Sequence, residues 1–345
     1  MPKESIYDEY FRYTELHKKT YGENTFVLIQ IGKFYEVYAY KLPDGEFGGA
    51  NLKEYSKICE LHMACKTNTF YKGFPIYMCG FITDMIDKYL PKLEAKKCTV
   101  PVYDQAQNIK NTTRHLKTIY SCGTFFSSNT DNISNNIACM WLHKKAPNAH
   151  NDITTITVGC ASIDIFTGKT NMFEYKTEYL NSPTTFDEAE RFITTYTPRE
   201  LILLGNLSNN EINNAISYCN ITNTQLHMFN YANEELCDTI RRSAENVEKQ
   251  NYQMEILKRF YNYTNEQETY SIVCEFPIAN QAFCFLLDFV NTHNPHLVLH
   301  IDIPLIENRS NRVILGNHTL QQLNIINDNV SKGKFSSVLS LLNQC

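Results

Sequence analysis

The sequence predicts a mixed α/β protein of several domains: a small mixed α/β domain, a second sheet with helices on its faces, and the start of an all-α domain. Three observations carry this. A chain of 345 residues exceeds what one hydrophobic core ordinarily organises. Residues 1–125 alternate helix-period and strand-period patterns in short pieces, which is how a small mixed domain reads. From about Glu234 the apolar period becomes helical. The expected division is residues 1–125, a polar linker over 126–136, a second unit over 137–233 and a helical segment over 234–345.

Taken in order, Ser5 to Tyr21 is an expected helix. Ser5 can cap it, Asp8 and Glu9 sit in its first turn, and Lys18 and Lys19 lie near its end. The apolar run Phe26 to Ile31 reads as a strand, Gly32 breaks it, and a second strand continues through Val37 to Tyr40. Pro43-Asp44-Gly45 signals a turn and Asn51 to Leu61 a helix. Lys72 to Cys79 reads as loop and strand around Gly73-Phe74-Pro75. Thr83 to Lys97 is an amphipathic helix in which Pro91 is an expected break. Strands at Thr99–Tyr103 and Leu116–Tyr120 close the region.

The second unit opens with strands at Ala138–Leu142 and Ile153–Ile165, and Gly168 turns the chain into Lys169–Tyr175. Phe186–Tyr196 and Ser208–Tyr218 read as helices, each followed by a short strand, Glu200–Leu204 and Gln225–Phe229. Asn280–Asn294, Leu315–Asn327 and Ser336–Asn343 read as helices of the last segment.

Bulk properties exclude several classes. No apolar run is long enough to span a bilayer, and the polar start Met-Pro-Lys-Glu-Ser lacks a secretory apolar core. The 12 cysteines are scattered without zinc-finger spacing, so no metal site is expected and the thiols point to an intracellular, reducing compartment. A net charge of −5 argues against coating nucleic acid by bulk electrostatics. The charge is uneven, however: residues 1–125 carry 17 Lys+Arg against 14 Asp+Glu, and the remainder 15 against 23.

The stretch Gln30 to Tyr38 stands out. A strand carrying Phe34 and Glu36 two residues apart places both on one face, and Tyr35 on the other. By residue type alone, Phe34 reads as a core aromatic and Glu36 as a solvated strand residue. The motifs around them favour another reading. Gly32-Lys33-Phe34-Tyr35-Glu36 resembles the Gly-x-Phe-Tyr-Glu motif of the MutS DNA mismatch-repair family. In the same order follow Gly73-Phe74-Pro75, Tyr89-Leu90-Pro91-Lys92-Leu93, Tyr103-Asp104-Gln105 and Arg114 through Thr124, each similar to a segment of that family. The family's usual proline is replaced by Cys122. Further on, Asp164-Ile165-Phe166-Thr167-Gly168 resembles the Asp-x-x-Thr-Gly hairpin of the family's connector. Leu315 to Leu323 and Phe335 to Asn343 resemble the opening of its core domain. The Asn/Tyr-rich composition and Lys33 are similar to the branch found in large DNA viruses and octocoral mitochondria.

The resemblance implies a mismatch-recognition domain, an RNase H-like connector and the start of a helical core (lever) domain. It implies double-stranded DNA with mismatches or small loops as the partner. Phe34 would stack on a mispaired base and Glu36 would accept a hydrogen bond from it. Lys33, Lys92, Lys96, Lys97 and Arg114 are the candidates for phosphate contacts. Homodimerisation or association with an ATPase portion follows from the resemblance, and no membrane does. No Gly-x-x-x-x-Gly-Lys-(Ser/Thr) loop occurs, and Lys332-Gly333-Lys334 is only a fragment of one. No catalytic residue and no cofactor is therefore expected in this chain; ATP and magnesium are expected only for a complete family member. Two alternatives stand beside this reading. One is a non-catalytic interaction protein that keeps the fold without reading DNA. The other is a metal-dependent nuclease built on Asp164.

Overall fold

The computed structural model describes residues 5–106, 114–125, 135–147, 153–179, 183–221, 224–231, 238–261, 275–306, 319, 322–325 and 336–342. Most of the expected linker 126–136, most of the expected helix 315–327 and the Lys332–Lys334 fragment lie outside these residues.

The first unit begins with α1 (Ile6–Tyr21), where Ser5 and Asp8 form a capping box and Gly22 ends the helix at φ 91°. Strands β1 (Leu28–Ile31) and β2 (Phe34–Lys41) form a hairpin whose loop is only Gly32-Lys33, since Ile31 pairs with Phe34. Gly32 takes φ 59°, the left-handed value a two-residue hairpin loop demands, so the glycine of the motif is a geometric requirement. Strand β3 (Phe47–Gly49) pairs with β2, and α2 (Leu52–Cys59) follows. A second tight hairpin joins β4 (Ala64–Tyr71) to β5 (Phe74–Ile82) through Lys72-Gly73, both at positive φ. The chain then enters α3 (Ile86–Glu94) through one 3-10 turn, Thr83–Met85. Pro91 sits within the last turn and does not divide the helix. Strands β6 (Val100–Gln105) and β7 (Arg114–Tyr120) complete a sheet of order β4-β5-β2-β1-β6-β7.

Both faces of this sheet are covered. Alternate residues Val27, Ile29, Tyr38 and Ile76 pack against Tyr10 and Phe11 of α1. Phe26, Leu28, Tyr35, Val37 and Ala39 pack against Leu52 and Tyr55 of α2 and Leu90 and Leu93 of α3.

The second sheet is a meander followed by parallel additions. Strands β8 (Asn136–Lys145), β9 (Thr155–Asp164) and β10 (Thr170–Glu178) are antiparallel neighbours. Helix α4 (Asp187–Tyr196) leads to β11 (Glu200–Gly205), parallel to β8. Helix α5 (Asn209–Tyr218) leads to β12 (Gln225–Asn230), parallel to β11. Helices α6 (Asp238–Val247), α7 (Gln250–Tyr261) and α8 (Pro277–His293) follow. After them come β13 (Leu305–Ile306), which pairs with β10, and the short α9 (Val338–Leu342).

The helical segment expected from residue 234 does not stand apart. Phe283, Leu286, Leu287 and Val290 of α8 pack on Ile137, Trp141, Ala161 and Ile202, while α4 and α5 cover the opposite face. Helix α8 is thus the third layer of the second unit. Its approach is close: a Cβ on Gly159 would lie 2.3 Å from the Ile278–Ala279 backbone. Glu174 of β10 accepts from the Ile278 and Ala279 amides at 2.8 and 2.9 Å, capping α8 from the sheet.

The two units meet at a buried carboxylate. Glu200 is fully buried and accepts from Ser121 Oγ at 2.7 Å and the Gly123 amide at 2.9 Å, while His227 Nε2 lies 2.6 Å from its other oxygen. Burial pushes the Glu200 carboxyl up, but the contact with His227 and the hydrogen bond from Ser121 bring it below its ordinary value. Cys122 donates its backbone N–H to Gln225 at 3.2 Å, a bond proline could not make, and Gln225 reaches back to Thr99 at 2.9 Å. Tyr21, at the end of α1, has the rings of His17, His227 and His293 around it.

Burial lowers both His17 and His293 from 6.5 to about 4. A lowered folded pKa means that the unfolded chain takes up the proton first. Their contribution to stability is therefore complete above pH 6.5 and is lost as pH falls toward 4, at about 1.4 kcal/mol per pH unit for each histidine. The thermal midpoint is expected to drop between pH 7 and pH 5, with a shallower drop in His293→Phe. Equal midpoints at the two pH values in the native chain would contradict neutral burial. Gly159→Ala is expected to lower the midpoint at every pH, because its Cβ meets backbone that cannot swing aside.

Candidate nucleic-acid interface

One end of the first sheet carries the tip of the β1–β2 hairpin. The Gln30 side chain braces it: its amide donates to the Gly32 carbonyl at 3.0 Å and its oxygen accepts from the Gln105 amide at 2.8 Å. Gln105 returns a contact at 3.2 Å from Gly32 N–H to its side-chain oxygen. The Lys33 carbonyl accepts from Thr83 at 2.9 Å, joining the tip to the start of the α3 segment.

Phe34 projects from this braced tip with 47 % of its surface exposed. Its cross-strand partner on β5 is Ile82, equally exposed at 48 %, and Met85 lies three residues further on with 40 % exposed. Opposed residues of an antiparallel pair share a face, so Phe34 and Ile82 form one apolar edge. Tyr35 points the other way and is buried, with its hydroxyl donating to Asp104 at 2.5 Å.

Glu36 lies on the Phe34 face, as the alternation requires, but it is 92 % removed from solvent, at 8 % exposure. Its Oε2 accepts from Lys66 Nζ of β4 at 2.9 Å and from the buried Tyr38 hydroxyl. Burial, followed by the bond to Glu36, holds the Tyr38 phenol well above its usual range, so it acts as a donor at every physiological pH. Both contacts fall on Oε2, which leaves Oε1 as the acceptor not engaged by any described residue. Gly80, opposite Glu36 on β5, makes the room: a Cβ there would come within 3.1 Å of Glu36 Cγ and 2.9 Å of the Tyr35 carbonyl.

The five basic candidates do not form one set. Lys33 is exposed beside Phe34. Arg114 is at the same end, but its side chain is 8 % exposed; its Nε donates to the Gln30 carbonyl at 3.0 Å and its guanidinium lies 3.8 Å from Glu9. It belongs to the bracing of the tip and not to a phosphate-facing surface. Lys92, Lys96 and Lys97 lie in and just after the last turn of α3, at the opposite end of the sheet. Thr99 there bonds to Asn24 and Phe26, whereas the other end of β6 reaches Gly32. Six residues of strand put them about 20 Å from the tip, and Lys92 is held at 2.9 Å by Glu60.

Asp164 is not placed for metal chemistry. It accepts from the Asn135 and Phe166 amides at 3.0 and 3.1 Å and from the Thr167 hydroxyl at 2.7 Å, closing the β9–β10 turn. Among the described residues no three His, Cys, Asp or Glu side chains gather as metal ligands.

Residues 11–129 match the family model of MutS domain I. The first unit is a MutS domain I. Over 99 % of its length the chain is also 26 % identical to a protein of Acanthamoeba polyphaga mimivirus described as a putative DNA mismatch repair protein mutS homolog. It spans about a third of that relative, 32 %. The MutS relationship implied by the ordered motifs therefore holds beyond the matched domain. No helix among the described residues is long and apolar enough to cross a membrane.

Sequence reasoning missed Ile82, Lys66 and Tyr38. Alternation along β2 could have placed Tyr38 beside Glu36. Lys66 and Ile82 arrive through the register of β4 and β5, and β4 carries an irregularity between Cys65 and Phe70 that no local pattern shows. Arg114→Met is expected to cost about 1–3 kcal/mol of unfolding free energy in urea titration, as loss of a buried charge-assisted bond. Lys33→Ala should stay within about 0.5 kcal/mol. Equal costs would contradict the bracing role of Arg114.

Proposed function

We propose that this chain binds double-stranded DNA at mispaired or looped positions, with Phe34 as the wedge and Glu36 as the group that meets the displaced base. The observation that carries this is an aromatic ring left half exposed at the end of a braced two-residue hairpin, in a MutS domain I. A mobile Phe would lose entropy on insertion, whereas this tip is already held by Gln30, Gln105 and Arg114. Separating a base step costs a few kcal/mol and costs least where pairing is already lost. Stacking on the ring returns about 1–3 kcal/mol, so the wedge converts local weakness of the duplex into affinity without reading sequence. Lys33 is the phosphate contact nearest the wedge, and Lys92, Lys96 and Lys97 are left for a separate role at the far end of the sheet.

We read the second unit as an RNase H-like connector. The order β10-β9-β8-β11-β12, antiparallel over its first three strands and parallel over the last two, supports that reading. ATP-driven signalling would belong to a complete family member.

The test is fluorescence anisotropy with a duplex carrying one mispair and its perfect counterpart. The native chain should prefer the mispaired duplex, and Phe34→Ala should weaken that binding by roughly tenfold or more, the loss of one base stack. Equal affinity for the two duplexes, or an unaffected variant, would overturn the reading.

A further inference from the structure

We propose that Lys66 and Tyr38 are positioning residues that hold the Glu36 carboxylate as a charge-compensated acceptor with Oε1 turned to the base. The inference rests on the wedge reading above and adds what makes an acid usable on a DNA-binding face. A carboxylate approaching phosphates is repelled, and a free one can swing away from a base. Here neither applies. Lys66 sits 2.9 Å from Oε2, with the Lys66 side chain 28 % and the Glu36 side chain 10 % exposed. The pair is therefore poorly screened and its net charge is close to zero.

The geometry is built from three strands. Tyr38, two residues along β2, donates from below and is fully buried. Its ring packs edge-on against Tyr7 and Tyr10 of α1 at 5.2 and 5.0 Å, so the hydroxyl cannot move without moving the helix. Lys66 comes from the edge strand β4, with its ammonium 5.1 Å from the Tyr38 ring centre, 5.9 Å from that of Tyr7 and 3.3 Å from the Tyr38 oxygen. Gly80 on β5 leaves the space that Glu36 occupies. Both donors take the same oxygen, and that division of labour fixes which oxygen remains for a ligand.

A phosphate-contact role for Lys66 predicts something different. A lysine contacting phosphate would strengthen all duplexes alike, whereas one acting through Glu36 changes the preference for a mispair. The experiment is a double-mutant cycle on the full chain, measuring mispaired and perfect duplexes by anisotropy, with circular dichroism melts to establish folding. Lys66→Met is expected to reduce the mispaired-to-perfect affinity ratio about tenfold, and Tyr38→Phe to reduce it less. Lys66→Arg should restore most of the ratio. In a Glu36→Gln background, Lys66→Met should change the ratio less than about twofold, because the group it acts through is gone. Equal weakening of both duplexes by Lys66→Met, or an undiminished effect in the Glu36→Gln background, overturns the inference while Phe34→Ala still reports on the wedge. Should Lys66→Met fail to fold, Tyr38→Phe, which removes one oxygen, decides: an unchanged ratio overturns the proposal.

Discussion

The arrangement of the molecule depends on one buried carboxylate. Glu200 begins β11 inside the second sheet, yet two of its three partners lie in the turn that leaves the first unit, Ser121 and Gly123. A buried charge is tolerated only when its lone pairs are filled, and here the chain leaving the first unit fills them. The orientation of the hairpin tip relative to the second sheet is therefore tied to the polar satisfaction of an acid far from the tip. The Cys122 position fits the same logic. The Cys122 N–H bonds to Gln225, which a proline there could not do, and Gly123 has no side chain because a Cβ would meet Glu200 at 2.6 Å.

The same principle recurs at the other end. Glu36 is a second carboxylate with little water, compensated by Lys66 and Tyr38 and not by backbone amides. Glu200 has its acceptor capacity used by protein, while Oε1 of Glu36 is engaged by no described residue. The two acids thus differ in what the described residues leave unfilled, not in burial alone. Phe34 follows a parallel rule. Most large apolar side chains of the first sheet are covered by α1, α2 or α3, and the ring at the tip is left half open beside Ile82.

The basic residues show how a charge count can mislead. The excess of Lys and Arg in residues 1–125 is real, but the fold spreads it. Arg114 is consumed in bracing, Lys92 pairs with Glu60, and Lys96 and Lys97 go to the opposite end of the sheet. Helix α3 starts beside the tip and runs away from it, so charges on its last turn are removed from Phe34 by the length of the sheet. Among the described residues, the charges near the tip are the exposed Lys33, Arg114 in its bracing contacts, and the compensated pairs Glu36–Lys66 and Asp104–Lys117.

Much of the fold was legible in the sequence, because strand alternation, capping residues and turn glycines are local. Ser5 with Asp8, Gly32 in its two-residue loop and the Phe34/Glu36 face all follow from neighbours along the chain. The sequence by itself therefore determined most of the elements, though not β3 or β4, and which side chains along one strand share a face. Only the tertiary structure decided which of them are free to act. Pairing across strands brought Lys66 to Glu36, buried Arg114, and set α8 against the second sheet in place of a separate domain. Each of these depends on register and packing between segments 30 or more residues apart, where a shift of one residue would turn every side chain to the other face.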